Sequence, residues 1–407
     1  MDLLIENIGV MSTAKGRFAL RGNDMVKVET TENCAVGISG GIIEYIGSKE
    51  EAPEAEHIFD AGGALVTPGL VDAHTHLVFG GWRQHEMELK LKGAGYLDIL
   101  NAGGGILSTV RATRAAGFDE LYEKALKLSM SMLAHGVTTI EAKSGYGLNV
   151  EDELKQLRVV EKLNKDSELD FVPTFMGAHA TPSEYKGKPD EYIDFVCEKV
   201  MPEAVKNGLA KYCDVFCENG VFDAALSEKL LLRAREHGLE LKIHADEIEP
   251  VGGGELAGRI KCHSAEHLIA ATDEGISLMA ENGVIGVLLP ATSFYLDKPF
   301  ARARYMVEKG MAIAIASDFN PGSSPSYSLQ FAMNLACLRY KLTPEEALAA
   351  VTINAAAAIG MAEETGTIEL GKKADLVIWD APDLNYIFYR YGNNQAKHVF
   401  KNGKQLV

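Results

Sequence analysis

The chain has 407 residues, 47% hydrophobic and 24% charged, an ordinary globular balance that supports a sizeable core. Its 57 acidic residues outnumber 40 basic ones, for a formal net charge of −17. That balance excludes a nucleic-acid backbone as the expected partner, because phosphate binding needs a concentrated basic surface.

Six cysteines (Cys34, Cys197, Cys213, Cys217, Cys262 and Cys337) are scattered without the spacing of a disulfide framework. Cys213 and Cys217 form a C-x-x-x-C pair inside the strand-like run KYCDVFCENG, where buried free thiols are the plainer reading than a metal or redox site. The start, MDLLIENIGV, lacks a basic segment followed by an apolar core, so no signal peptide is expected. No uninterrupted apolar stretch reaches the ~18–20 residues that span a bilayer. The expectation is a soluble, cytoplasmic protein with reduced thiols and no membrane partner.

Residues 1–63 read as short strands separated by Gly and polar turns: LLIENIGVM, CAVGISGGIIEYIG and HIFDAGG. The C-terminal segment behaves alike, with GTIELGKKADLVIWD and KHVFKNGKQLV strand-like and a hairpin signal at Asn402-Gly403. Neither end can bury a core alone. One small β-sandwich domain built from residues 1–63 plus 365–407 is therefore expected, with the rest of the chain inserted.

Residues 64–364 alternate strand-like runs with amphipathic helices. The strands expected in order are LVDAHTHLVF, GVTTIEAKSG, DFVPTFMGAHA, YCDVFCENG, LELKIHADE, HSAEHL, GVIGVLLP and AIAIASDFN. Among the helices, FDELYEKALKLSMSMLAHG ends at Gly136, and ALSEKLLLRAREHG starts near Ser227 and ends at Gly238. TPEEALAAVTINAAAAIG is expected as one helix, with Thr343 as its cap and Pro344 in its first turn. Eight β-then-α units in series predict an α/β fold, a (β/α)8 TIM-like barrel.

Such barrels place functional groups at the C-terminal ends of their strands. Read there, the first strand carries His74 and His76, the third His179, the fifth His244 and Glu247, the sixth His267 and the eighth Asp318. Residues two apart on a strand share a face, so His74 and His76 can reach one ion in the barrel mouth. His244 supplies a third nitrogen and Asp318 an oxygen, a set suited to one divalent or trivalent ion, zinc or iron. Amide hydrolysis at neutral pH needs hydroxide, and a bound ion brings the pKa of its water to around 7. Glu247 is placed to shuttle the proton from water to the departing nitrogen. His267 either joins the metal or orients the water; the plain alternative is a satisfied core histidine. The triple glycine Gly103 to Gly105 lacks the G-x-x-x-x-G-K pattern of a phosphate cradle and reads as a tight loop.

PGLVDAHTH, HADE, SAEHL and SDFNPG resemble the mononuclear branch of the amidohydrolase superfamily. More narrowly, HLVFGGWR, LDILNAGGGILSTV, EAKSGYGL, FMGAHA, KIHADEIEP and SDFNPGSSP resemble the imidazolonepropionase family of histidine catabolism, and the similarity runs through essentially the whole chain. The resemblance implies hydrolysis of a cyclic amide, 4-imidazolone-5-propanoate, to N-formimidoyl-L-glutamate. It implies metal ligation by His74, His76, His244 and Asp318, with the catalytic work shared among Glu247, His267 and Asp318. Arg83 would pair with the propionate of a small anionic heterocyclic substrate, a task suited to a guanidinium fork. Tyr146, His179, Glu247, Asn320, Gly322 and Ser323 would line the pocket, although Asn320 and Ser323 are also ordinary turn residues. Trp82 departs from the pattern, standing where a small residue is expected, and bears on the pocket edge. The fourth strand has no interior Lys to bridge two metals, so one ion is expected, and Lys143 reads as a strand-end ion pair.

Two other readings use the same residues. A deaminase of a nucleobase-like heterocycle would keep the metal site but give Arg83 no carboxylate to bind. A barrel that has lost catalysis and serves assembly is disfavoured by the complete ligand set. Barrels with auxiliary β domains often pair, which makes a homodimer the candidate assembly, with no interface readable in the sequence.

Overall fold

The computed structural model describes residues 1–93 and 103–407; the LDILNA portion of one motif block (97–102) lies outside the described residues. The chain begins with β1 (Leu3–Ala14), β2 (Val28–Ser39), β3 (Ile42–Gly47), β4 (His57–Asp60) and β5 (Leu65–Pro68), and it ends with β14 (Leu376–Trp379), β15 (Ala396–Lys401) and β16 (Lys404–Gln405). These strands make one hydrogen-bonded sheet in the order β16-β15-β14-β5-β1-β2-β3, with β4 also on β1. β1 pairs with β4 through its first residues and with β5 further along. The sheet curls around its own core of Ile5, Ile8, Val36, Ile43, Ile378 and Phe400. Asn402 (φ 49°) and Gly403 (φ 74°) form the tight turn between β15 and β16, the left-handed pair that a two-residue hairpin requires.

Between the two ends lie eight parallel strands: β6 (Leu70–Asp72), β7 (Val137–Lys143), β8 (Asp170–Ala178), β9 (Tyr212–Cys217), β10 (Glu240–Ala245), β11 (Ser264–His267), β12 (Ile285–Leu288) and β13 (Ala312–Ile315). Each pairs with its successor. The ring closes just beyond the first and last strands, where Thr75 bridges Phe319 and the His76 amide donates to the Phe319 carbonyl at 2.9 Å. All eight strand-like runs of the sequence are therefore strands of the barrel. Each of β7, β11, β12 and β13 is buried along its length, as expected when helices cover the outside and side chains fill the inside.

Two helices depart from expectation. Asp223 accepts from the Leu226 amide and starts a helix at Ala224–Glu236, three residues before the expected Ser227. Thr343 and Glu346 form a reciprocal capping box, with Pro344 in the first turn. That helix stops at Val351, however, and a second one runs over Ile353–Ala358. Thr352 Oγ1 donates to the Leu348 carbonyl, while Asn354 bonds the backbone of Leu20 and Ile313. Side chains that take backbone partners in this way break a helix that its apolar pattern alone would continue.

Candidate metal centre and pocket

At the C-terminal mouth of the barrel, one ligand atom from each of His74, His76 and His244 lies within 4.8 Å of the others, and all three residues are buried. Asp318 Oδ1 stands 3.4 Å from His74 Nε2 and 3.7 Å from His76 Nε2. Donor atoms ~2.1 Å from a tetrahedral ion are separated by about 3.4 Å, so these spacings fit one cation. Nε2 of His74 and Nε2 of His244 are buried without a hydrogen-bond partner. Buried nitrogens are normally satisfied, and a cation between them supplies what the protein does not. Burial, and then the neighbouring positive charges, hold His74 and His76 well below the ordinary imidazole pKa, so both are neutral and able to donate a lone pair.

The opposite ring nitrogens are tied down. His74 Nδ1 lies 2.8 Å from Glu266 Oε2, and His244 Nδ1 lies 3.1 Å from the Asp214 carboxylate. Carboxylates there fix tautomer and ring orientation. Beneath them, Lys143 Nζ donates to Glu141 at 2.7 Å and to Asp214 at 2.8 Å, all three side chains wholly buried. Burial works against that ammonium, but Asp214, Glu141 and Glu266 outweigh it and hold the pKa above its ordinary value. Lys143 is thus an ion-pair residue, as expected. Lys242 Nζ completes the layer, 3.7 Å from Glu266 and 3.9 Å from Glu141.

Around this centre, His179 stacks on His76 with ring centroids 4.6 Å apart, and Tyr146 lies 5.2 Å from His179. Burial, and then His244, lower His179 to about 3. Glu247 Oε2 is 3.6 Å from His267 Nε2, and the His267 ring is 5.1 Å from that of His244. Burial and the Asp318 carboxylate push Glu247 up to about 8; burial, opposed by the Thr292 hydroxyl, raises Asp318 to about 6. Asp318 follows Ser317 at a left-handed φ of 52°, and His267 and Leu268 sit at 68° and 56°. Consecutive strand residues point to opposite faces, so this strained backbone turns His267 over the mouth although its neighbour Glu266 also faces in. Strain of this kind collects at functional sites.

The turn after β13 uses its own polar groups. Asn320 Oδ1 accepts from the amides of Gly322 and Ser323, both at 2.8 Å, and its Nδ2 donates to the Asp318 carbonyl at 2.7 Å and to Ser323 Oγ. Asn320 and Ser323 therefore shape the turn, and Gly322 is the part of it that faces Arg83: a Cβ there would lie 2.0 Å from Arg83 Nη1. Trp82 packs its ring edge-on to Phe79 with centroids 4.9 Å apart and lies 6.1 Å from the Phe319 ring. Cys213 and Cys217 are buried, free and apart from the histidine cluster.

A family model described as the amidohydrolase family matches residues 65–406. The chain belongs to the amidohydrolase family. Among the relatives of this amidohydrolase, an imidazolonepropionase from Bacillus velezensis is 50% identical, with 100% of this chain and 97% of that protein covered. An imidazolonepropionase from Alkaliphilus metalliredigens is also 50% identical, covering 100% and 98%. Solved structures share the fold at lower identity. Zinc-complexed atrazine chlorohydrolase from Arthrobacter aurescens TC1 superposes with a TM-score of 0.73 at 18% identity, covering 100% of this chain and 95% of that one. A zinc-bound adenosine deaminase from Xanthomonas campestris gives 0.70 at 20% identity, covering 99% and 92%.

Sequence reading of this amidohydrolase found the groups at the strand ends but missed the layer below them: Asp214, Glu266, Glu141 and Lys242. The available signal was period two, since Lys242 precedes His244 by two and Glu141 precedes Lys143 by two, on otherwise apolar strands. It also missed Glu86, whose side chain is only 1% exposed and grips Arg83 through two hydrogen bonds, Nε to Oε1 at 2.8 Å and Nη2 to Oε2 at 3.0 Å.

Proposed function

We propose that this protein hydrolyses 4-imidazolone-5-propanoate to N-formimidoyl-L-glutamate, a step of histidine degradation. Full-length relatives at half identity are imidazolonepropionases. The observation that carries the reading is a buried three-histidine cluster with Asp318 beside it and, on the same turn as Asp318, a guanidinium lying over Gly322.

The ion would be held by His74, His76, His244 and Asp318, with zinc or iron suited to that donor set. When bound, it supplies a water acidic enough to attack near neutral pH and polarises the carbonyl. Arg83 holds the propionate and so fixes the ring in the mouth. Tyr146 and His179 wall the ring from one side, and the turn bearing Asn320, Gly322 and Ser323 closes the other. Glu247 takes the proton released as the water oxygen joins the ring carbonyl carbon, and gives it to the ring nitrogen as the carbon–nitrogen bond breaks. His267, in reach of Glu247, orients the water, and Asp318 shares that proton relay. The exclusion of solvent at these buried positions strengthens each interaction.

The same proposal divides the chain into a sheet unit (1–63 plus 365–407) and a barrel (64–364), with β5 at the crossing, where it pairs with β1 and β14. No described helix is long and apolar enough to cross a membrane. The six cysteines are free, as a reducing cytoplasm would keep them, and a homodimer is the assembly we expect there. The test is to supply imidazolone propionate and assay formimidoylglutamate before and after dialysis against a chelator. Turnover that is lost on chelation and restored by zinc or iron supports the reading; no turnover by metal-loaded protein rejects the substrate.

A further inference from the structure

Residues 83 to 90 hold an ion cluster larger than one substrate-binding arginine needs. The Glu86 carboxylate receives Arg83 side-on, through Nε and Nη2. Its Oε1 also accepts the Gly105 amide at 2.7 Å, and its Oε2 lies 3.5 Å from Lys90 Nζ. Lys90 in turn donates to the Gly322 carbonyl at 3.1 Å. Arg83 and Lys90 are 17% and 23% exposed, and among the described residues Glu86 is the one carboxylate within 4.0 Å of either.

Two features separate this cluster from an ordinary structural ion pair. Two cations share one carboxylate, so the half-buried trio keeps an excess of one positive charge. The side-on grip also uses only Nε–H and one Nη2–H, which leaves the end-on edge of the guanidinium, Nη1 with the second Nη2–H, free for another bidentate carboxylate. The guanidinium rests on Gly322 through Nη1, Cζ and Nε, where the absence of a Cβ makes room for it.

We propose that Glu86 and Lys90 make this site selective for a carboxylate-bearing substrate. Glu86 is a positioning residue that aims the free edge of Arg83 into the pocket. Lys90 is a specificity residue that adds the uncompensated charge and fastens the 83–90 segment to the turn carrying Asp318. Because Lys90 bonds the Gly322 carbonyl while Arg83 packs on the Gly322 Cα, the two cations approach the same residue from one segment and define one anion subsite. The ligand chemistry is an acyclic carboxylate about one extended side chain from the reacting ring. This inference rests on the hydrolase reading proposed above.

The experiment compares wild type, Glu86→Gln and Lys90→Gln on two substrates, imidazolone propionate and its neutral propionamide analogue, with melting curves to establish folding. A glutamine at 86 presents an amide N–H to a guanidinium that needs two acceptors, so the grip is lost without a change of size. The expected result is that Glu86→Gln lowers kcat/KM for the acid about tenfold or more, through KM, and leaves the amide within about threefold. Lys90→Gln does the same to a smaller extent, about three- to tenfold. If wild type turns over the acid and both variants keep its preference for acid over amide, the inference is overturned while the hydrolase reading stands. Equal losses on both substrates also overturn it, because they would mark a purely structural role. Should Glu86→Gln fail to fold, Lys90→Gln at its partly exposed position decides alone, and an unchanged acid-to-amide ratio rejects the proposal. Absence of turnover by wild type on the acid would instead reject the hydrolase reading.

Discussion

Glu266 and His74, 192 residues apart in the chain, meet beneath the metal centre with Nδ1 and Oε2 2.8 Å apart. The contact assigns the Nδ1 proton to the carboxylate side and leaves Nε2 facing Asp318. Glu266 also has Lys242 3.7 Å away and the Ser264 hydroxyl on its other oxygen, so its position is fixed from three sides. Burial raises its pKa, and the nearby Lys242 and Lys143 ammonium groups oppose that rise.

Glu266→Gln should therefore weaken metal binding rather than abolish folding. A neutral acceptor makes His74 a poorer ligand, and such outer partners are worth about 10–100-fold in affinity. Competition with a coloured chelator measures it directly, on protein whose far-ultraviolet circular dichroism is unchanged. Metal affinity equal to wild type would show that Glu266 only fills space.

Glu247→Gln should behave in the opposite way. Its carboxylate lies by His267 rather than within the three-histidine cluster, so bound metal per chain should stay the same. Proton transfer by a positioned side chain is worth about 10²–10⁴-fold, and kcat should fall by that order while KM changes little. Metal content and steady-state kinetics on one preparation separate the two effects. A loss of metal in this variant would make Glu247 a ligand and reverse the assignment.

The fold was legible because period two and period 3.6 alternate cleanly along residues 64–364, and because a barrel turns strand ends into one surface. His74, His76, His244, His267 and Asp318 could be read from that rule alone. Less of what supports them was visible. Glu266 and His267 are adjacent, and alternation forbids both from facing inward; only the left-handed backbone at His267 and Leu268 resolves the conflict, and sequence pattern carries no signal for it. Asp214 stands as a lone charge in an apolar strand, because its partners Lys143 and His244 come from other strands far along the chain. Asn320 went the other way. Its turn chemistry was recognised, and the structure commits its amide to the turn.

Gly322 offers a test of the pocket that leaves every charge in place. An alanine Cβ would lie 2.0 Å from Arg83 Nη1, so the guanidinium must move while the metal ligands need not. Gly322→Ala should raise KM for a carboxylate substrate in the same direction as Arg83→Ala, by about tenfold or more, with a smaller effect on kcat. A neutral heterocycle would not register either change. Unaltered KM in both variants would favour a deaminase acting on an uncharged ring.

A buried lysine ties the C-terminal strands of the sheet to the barrel. Lys401 on β15 donates to Asp170 at 2.6 Å, at the start of β8, and to Asp375 at 2.7 Å, with its own side chain fully buried. Asp375 is itself buried and also accepts from Thr365 Oγ1 and the Asn402 amide. Lys401→Met keeps the volume but strands that carboxylate, and breaking a buried pair by removing one partner costs about 3–5 kcal/mol. The pH dependence gives the sign. Burial opposes ionisation of Asp170, but Lys401 and Lys373 outweigh it and hold its carboxyl below the ordinary value. Its contribution is thus full above the unfolded carboxyl pKa of about 3.9 and is lost as pH falls through the lower folded value. Wild type should lose stability in that acid window more steeply than Lys401→Met, while at neutral pH the variant unfolds at lower urea. Parallel acid profiles for the two proteins would mean that Lys401 holds the sheet by packing and not by charge.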